Sequence, residues 1–518
     1  MAEPSGGGVV QSTTAGSSSL TIDYDAASSS YTLTGSAGSE AFLPSDRSPS
    51  STSGHVIYDK SDGAQLDLFT TSPPSGKARS YVAMGVWRQT QANGAAQDTT
   101  FETFVFGNAS QNVSVPRTGE ASYDVDMVGY FSAPGGDVKS LVGPGVFEAD
   151  FLSGQFKADI YPQVTDLTTS TGYSGGGVQL IAVGSLSASD GSFAGTAAFQ
   201  DSINGYYVGP ISGRLYGPSA QEVGAEFTGD NPNGGALTGA LFGAQSGHAP
   251  DENLTLTNIY AQQLFSAIGV ELSTNANVSG GFNTASTYMM NGQLTVQPGG
   301  VPFSYSPGLS NLQYATYTAA DVTSPDRANF TTYQTTVSGV PLQFDLYNVG
   351  AGNSELALTY MELGVWRQGT GIPPANDEDL VYSVYGIATP AGQLSRLTGT
   401  AQYSGVVYGD AVDSAQAIRY DVAGSSSFSV NFSAQTLAGG LTLNGTAIGG
   451  ASRNFGSFNF SGPVGLNGNT YALSQGGAGV GQMESLFYGP AAQEVGGPFA
   501  IQLNDGTVIA GATAAKRN

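Results

Sequence analysis

Apolar and polar residues alternate with a period of two along much of this 518-residue chain. In Ser427-Phe428-Ser429-Val430-Asn431-Phe432 every second residue is apolar, and Gly440-Leu441-Thr442-Leu443 resumes the alternation after a short break. Phe147-Glu148-Ala149-Asp150-Phe151 opens a matching stretch earlier in the chain. A period of two puts one face of a strand in a core and the other in water, so these segments predict half-buried antiparallel strands joined by Gly and Ser turns. Strands spaced about 8 to 12 residues apart predict a sheet closed into a β-barrel, which leaves no unpaired edge. One element interrupts the rhythm, Tyr216-Gly217-Pro218-Ser219-Ala220-Gln221-Glu222-Val223-Gly224. Gly217 suits a cap, Pro218 a first helical position and Gly224 a left-handed stop, which predicts about one helical turn between two strands. The regions 19–114 and 253–395 are less regular, with Pro-bearing loops at 71–75 and 371–375, and read as mixed, mostly β.

The pattern is duplicated. The only two tryptophans sit in Val86-Trp87-Arg88-Gln89 and Val365-Trp366-Arg367-Gln368, an offset of 279. Gly107 and Gly386 each close an aromatic strand, and Gly119-Glu120-Ala121-Ser122-Tyr123 returns as Gly399-Thr400-Ala401-Gln402-Tyr403. The Tyr-Gly-Pro element returns as Tyr488-Gly489-Pro490-Ala491-Ala492-Gln493-Glu494-Val495-Gly496. Four landmarks in one order predict two homologous lobes meeting near 247–253.

Composition narrows the classes. Charged residues are 11 % of the chain and Gly numbers 74, which disfavours helical bundles and favours short strands with many turns. A formal net charge of −24 repels a phosphate backbone, so nucleic acid is excluded as a partner, and the acidity is spread over both halves as a solvated surface. The chain has no Cys, hence no disulfide, thiolate chemistry or cysteine metal site. No apolar run is long enough to cross a membrane as a helix. Residues 1–18, rich in Gly, Ser and Thr after Met1, read as a flexible tether with an added start Met, from which a signal segment has been removed.

These landmarks carry a resemblance. Gly399 to Tyr403, the Val430-Asn431-Phe432 strand followed by Thr436-Leu437-Ala438-Gly439, Phe460-Ser461-Gly462 and the twice-present Tyr-Gly-Pro-x-Ala-Gln-Glu-Val-Gly element resemble the barrel domain of transferrin-binding protein B-like surface lipoproteins. The resemblance covers roughly 115–245 and 396–512, and the two-lobe arrangement extends it to the whole chain. It implies a mainly β fold of two lobes, each a β-rich handle plus an eight-stranded antiparallel β-barrel: 1–18 tether, 19–114 N-lobe handle, 115–247 N-lobe barrel, 253–395 C-lobe handle, 396–512 C-lobe barrel. It further implies a lipid-anchored receptor on the Gram-negative outer membrane, with release from the surface as a second form. Such a receptor captures an iron-carrying protein or haem for a TonB-dependent transporter. The chain departs from iron-capturing members in its 5 Lys against 11 Arg and its richness in Ala and Gly, which counts against transferrin itself. A structural surface-coat or adhesion protein is the alternative.

The residues themselves point to little chemistry. Gly172-Tyr173-Ser174-Gly175-Gly176 matches the nucleophile elbow of hydrolases, but a chain this rich in Gly and Ser yields such a match by chance and no helix is expected after it. A secreted hydrolase using Ser174 is the third reading, and no catalytic residue is assigned. His55 and His248 each have one nearby carboxylate, Asp59 and Asp251, and form no ligand cluster, so no metal site is expected. His55 reads as a strand-edge surface residue. No cofactor is expected; haem as a ligand could use any of 26 Tyr, among which the sequence does not choose. Gly476-Gly477-Ala478-Gly479-Val480-Gly481 lacks the strand-to-helix setting of a dinucleotide site and reads as a loop. Trp87-Arg88 and Trp366-Arg367 have the composition of a binding hot spot, yet a Trp packed in a core with Arg at its edge accounts for them equally. Asp377-Glu378-Asp379 reads as a solvated acidic loop.

Overall fold

The strand content expected from the alternation is what the chain adopts: in the computed structural model, which describes residues 10–36, 38–72, 77–94, 96–174, 177–187, 189–276, 282–369, 378–447, 450–475 and 479–518, nearly every regular element is a strand. The chain divides into two compact units, Met1–Pro250 and Asp251–Asn518.

In the first unit eight antiparallel strands close a barrel: Glu120–Ser132, Lys139–Asp150, Gln155–Ile160, Gln179–Leu186, Ser192–Asp201, Gly205–Tyr216, Glu222–Asp230 and Ala236–Gln245. The last pairs with the first from Tyr123↔Gln245 to Ser132↔Ala236. A hairpin, Gln163–Asp166 with Gly172–Tyr173, branches from Lys139–Asp150. Alternation decides what fills the barrel. Phe147, Phe156 and Phe193 point inward and their rings meet at 4.8 to 5.2 Å. The second unit repeats the closed eight-stranded barrel from Thr400–Asp413 to Val508–Arg517, so its last strand runs past position 512.

The less regular regions are sheets. In the first unit His55–Asp59, Gln65–Phe69, Val82–Asn93 and Ala96–Gly107 form a four-stranded sheet, with a separate three-stranded sheet built from Thr21–Asp25, Ser30–Gly35 and Gly38–Phe42. In the second unit the handle is a single nine-stranded sheet centred on Gln263–Ala276, Met361–Gly369 and Glu378–Gly386. The N-terminal stretch is not free throughout, because Val10 exchanges two backbone hydrogen bonds with Gly135 and Gly136 of a barrel turn, at 2.8 and 3.0 Å.

Each handle buries one face on the outer wall of its barrel. In the first unit Val82, Met84 and Val86 pack on Val128, Ala240 and Phe242. In the second, Leu363, Val365 and Tyr382 pack on Ala510, Ala512 and Ala514, three outward positions of one strand whose small side chains let the sheets approach. The opposite face of each handle sheet holds its Trp. Trp87 packs with Leu33, Phe42 and Leu66, and Trp366 with Phe303, Phe344 and Val381.

The expected helical turn in the Tyr-Gly-Pro element is a plain turn. Gly217 has φ +85° and Ala220 +56°, and the strand Glu222–Asp230 begins at once. The groups a helix would use are already committed: the Tyr123 hydroxyl donates to the Ala220 carbonyl at 2.8 Å, and the Ser219 N–H donates to the Gln221 side chain at 2.8 Å. The second copy repeats both bonds, from Tyr403 to Ala492 at 2.6 Å and from the Ala491 N–H to Gln493 at 2.8 Å. The two repeated motifs, Gly-x-Ala-x-Tyr and Tyr-Gly-Pro-x-Ala-Gln-Glu, are therefore two halves of one contact.

Candidate functional site

The most elaborate polar construction in each unit lies where the handle meets the barrel. The Tyr-Gly-Pro turn delivers Glu222 and Glu494 into this seam, where both are buried. Glu222 accepts hydrogen bonds from the N–H groups of Ser80, Tyr81 and Val82 at 2.7, 2.7 and 2.8 Å. Glu494 accepts from Thr359, Tyr360 and Met361 at 2.7, 2.9 and 2.9 Å. Each carboxylate thus satisfies the donors at the entry to a handle strand, Val82–Asn93 or Met361–Gly369. Burial raises the Glu494 carboxyl above the ordinary value, and the three N–H donors pull it back.

Two further contacts complete each clamp. Ser110 donates its hydroxyl to Gly217 O and Thr389 donates to Gly489 O, both at 2.6 Å. The rings of Tyr81 and Tyr360 cover Gly217 and Gly489 so closely that a Cβ there would lie 2.7 and 2.6 Å from a ring carbon. Glycine is required at both positions by this approach and by the positive φ.

The second unit adds a buried ion network across its seam. Arg419 Nε donates to Asp410 at 2.8 Å and its guanidinium also meets Glu378. Arg327 donates to the Tyr382 hydroxyl at 3.0 Å, to Gly409 O at 3.3 Å and to Asp410 at 3.4 Å, and it also pairs with Asp421. Arg367 lies 3.7 Å from Asp345 and 3.8 Å from Glu378. Burial alone would favour neutral Asp410, but Arg419, Arg367 and Arg327 hold its carboxyl well below the usual range. The first unit is simpler here, with Arg79 3.9 Å from Asp126. These groups fasten two sheets together, and none presents a nucleophile with an adjacent base.

The sequence candidates fall as follows. Trp87 and Trp366 are 1 % and 0 % exposed, which makes them core residues and removes them as surface hot spots. Their Arg neighbours do not edge the indoles: successive strand residues face opposite ways, so Arg367 joins the barrel-side ion network while Trp366 faces the handle core. The acidic run is not a solvated loop. Glu378 is buried among Arg367 and Arg419, Asp379 accepts from the Ser273 hydroxyl at 2.6 Å, and Asp377 lies outside the described residues. His55 opens an edge strand, but its carboxylate partner is Asp67 at 2.7 Å, and its ring stacks on Phe69 at 4.1 Å. Asp59 instead accepts from Gln65. His248 is exposed in the loop that ends the first unit. Ser174 is exposed just after the two-residue strand Gly172–Tyr173, with Gly175 and Gly176 outside the described residues. Gly479 to Gly481 belong to the strand Gly479–Tyr488, and 476–478 lie outside the described residues. Among the described residues no three His, Asp or Glu side chains converge on a metal position.

Sequence reasoning passed over Glu222 and Glu494. Its available signal was a charged residue kept in both copies of a turn otherwise built from Gly, Pro and Ala. It also passed over a surface row on the first barrel, where the register places Gln179 opposite Gln200 and Gln200 opposite Tyr206, with Tyr161 bonded to Gln179 at one end. Tyr161 is 59 % and Tyr206 39 % exposed, and Ile203, in the adjoining hairpin turn, is 70 % exposed.

Residues 397–517 match the family model of the C-lobe and N-lobe beta barrels of Tf-binding protein B. Among solved structures the chain is similar to a double mutant of transferrin-binding protein B from Haemophilus parasuis Hp5 (13 % identity, 96 % of this chain and 94 % of that one, TM-score 0.31). It is also similar to isotype 1 transferrin-binding protein B from serogroup B Neisseria meningitidis (15 %, 87 % and 89 %, TM-score 0.30). A third is HpuA from Kingella denitrificans in complex with human haemoglobin (17 %, 50 % and 88 %, TM-score 0.27). No curated protein matches.

Proposed function

We propose that this chain, whose C-terminal barrel belongs to the transferrin-binding protein B barrel family, is a surface receptor that captures a protein or iron-containing ligand for an outer-membrane TonB-dependent transporter. The observation that carries the reading is the family match over 397–517. The architecture supports it. Two handle-and-barrel units with clamped seams form stiff platforms, and stiffness lowers the ordering cost of binding a large partner. The row of Tyr161, Gln179, Gln200 and Tyr206 offers exposed aromatic area of the kind enriched at protein interfaces, with two amides beside it. The ligand is an iron-carrying protein or haem, and the N-terminal stretch is the tether to a lipid anchor in the outer leaflet. No bond is made or broken in this activity.

The test is direct. Immobilised receptor is titrated with transferrin, lactoferrin and haemoglobin by surface plasmon resonance, and with haem by absorbance. Saturable binding of any one, weakened by Tyr206→Ala or Ile203→Asp, is expected. Flat responses to all three proteins together with an unshifted Soret band would sink the reading.

A further inference from the structure

The second unit holds a small opening beside the clamp residue Thr389. A cavity of about 210 Å³ lies beside the short helix Ala391–Leu394, walled by Ala388, Ala391, Leu394, Leu466, Leu486 and Phe487. The remaining lining is Thr389, Asn467, Gly465 and Gly468, so no charged side chain borders it. Thr389 is already engaged: its hydroxyl donates to Gly489 O at 2.6 Å and its N–H to Phe487 O at 2.9 Å. The wall is therefore apolar in effect, with the Asn467 amide at its mouth.

Gly191 and Gly468 are equivalent, each immediately preceding the fifth strand of its barrel, Ser192–Asp201 or Asn469–Gln475. In the first unit Val115 packs there, its Cγ2 2.7 Å from where a Cβ on Gly191 would stand. In the second unit Leu486 takes that place, its Cδ2 2.8 Å from where a Cβ on Gly468 would stand, and the cavity is bordered by the loop 464–468, with Leu466 39 % exposed, and by the helix.

We propose that this cavity is a binding site for a neutral aromatic ring. Size sets the scale. A dry cavity of about 150 Å³ lined by Leu, Ile and Phe accepts benzene, so this one admits one ring or two fused rings, and it is below the roughly 300 Å³ at which whole drug-sized ligands begin. Haem is too large. Charge is excluded because an ion here would lose its hydration with no counter-charge in the wall. An aromatic group is favoured over an aliphatic one by the floor: Phe487 is backed by Phe432 at 5.8 Å and Tyr403 at 6.1 Å, a cluster that a further ring extends in tilted geometry. The proposal stands independently of the receptor reading.

The test uses the full chain and indole, read by saturation-transfer NMR. Indole is expected to bind in the millimolar range or tighter, as ligands of so few atoms do. Ala391→Phe, which fills the space, should abolish the signal, and Leu466→Ala, on the exposed rim, should weaken it about threefold by removing apolar wall. Indole-3-acetate should bind at least about tenfold more weakly. N-acetyltryptophanamide identifies the source. Transfer equal to that of indole assigns the site to a ring carried on a protein, its loss assigns it to a free small molecule, and both uphold ring binding. No transfer from the wild-type chain to indole, or transfer unchanged in both variants with wild-type melting curves, would overturn the proposal; Leu466→Ala keeps the test valid should Ala391→Phe fail to fold.

Discussion

Replacing Glu494 tests whether the duplicated motif is a clamp. In Glu494→Ala three buried N–H groups, now bonded at 2.7 to 2.9 Å, lose their acceptor. Each orphaned donor costs about 1 to 3 kcal/mol, and removing the carboxylate returns part of its desolvation cost, so a net loss of about 3 to 6 kcal/mol is expected. Glu494→Gln keeps one carbonyl oxygen. Turned toward Tyr360 and Met361, it preserves two of the three bonds and leaves the Thr359 N–H facing an amide donor, a loss of about 1 to 3 kcal/mol. At about 2 °C per kcal/mol for a unit of this size, melting should fall by about 6 to 12 °C in the Ala variant and 2 to 6 °C in the Gln variant. Each unit holds one buried Trp, so emission from Trp366 in a Trp87→Phe background reports the second unit alone. Glu222→Ala, followed through Trp87, should produce the same loss in the first unit. A Glu494→Ala variant that melts within about 2 °C of wild type, or Gln and Ala variants that melt together, would refute the clamp.

Arg419→Ala leaves Asp410 and Glu378 short of a partner in a buried site and should lower second-unit stability by about 3 to 5 kcal/mol, read as a urea midpoint. Because the arginines hold the Asp410 carboxyl below its ordinary value of 3.8 in the folded state, its contribution is fully present above that pH and disappears as pH falls through the folded value; acid unfolding of the second unit should shift to higher pH in Arg327→Ala. Glu362 behaves oppositely. Burial pushes its carboxyl up to about 7, so between about 4.5 and 7 the folded state holds a proton the unfolded chain has lost, and stability falls as pH rises across that window. Glu362→Gln should reduce this slope, and a slope unchanged from wild type would contradict the assignment. Gly386→Ala would place a Cβ 2.1 Å from Tyr360 O at a φ of +155°, so it should cost more than about 1 kcal/mol in melting experiments, whereas Gly399→Ala, also at positive φ but with open space around it, should cost less.

What was legible follows from range. The alternation in Ser427 to Phe432 is local, and the strand Ile418–Asn431 appears where that alternation predicts it. The duplication is a comparison of the chain with itself and needs no structure. The roles of Glu222 and Glu494 were not legible, because each acts on backbone N–H groups more than 130 positions away, and backbone donors carry no sequence signature. The predicted helical turn failed for a related reason. Gly217 and Pro218 have local preferences that suit a helix, but a tyrosine nearly 100 positions distant takes the Ala220 carbonyl. Glu378 misled because an acidic run after a Pro-containing loop resembles solvent, and only the sheet register brings Arg367 and Arg419 to it.

The clamp also bears on how two units of one design come to differ at their surfaces. A carboxylate that grips main-chain N–H groups places no demand on the side chains of the strand it holds, so Ser80-Tyr81-Val82 in one unit and Thr359-Tyr360-Met361 in the other are gripped alike despite their different residues. The apolar seam is equally tolerant: Val128, Ala240 and Phe242 serve in the first unit where Ala510, Ala512 and Ala514 serve in the second. Handle orientation is thereby set by a few residues of two motifs and the backbone, leaving the outward positions and connecting turns free to change without loosening the platform. The units diverge there: Val115 covers the position of Gly191 in one, and Leu486 covers that of Gly468 in the other, where a cavity lies alongside. If the clamp is what decouples platform from surface, exchanging 464–468 for 187–191 should leave the second unit's melting temperature within about 2 °C of wild type.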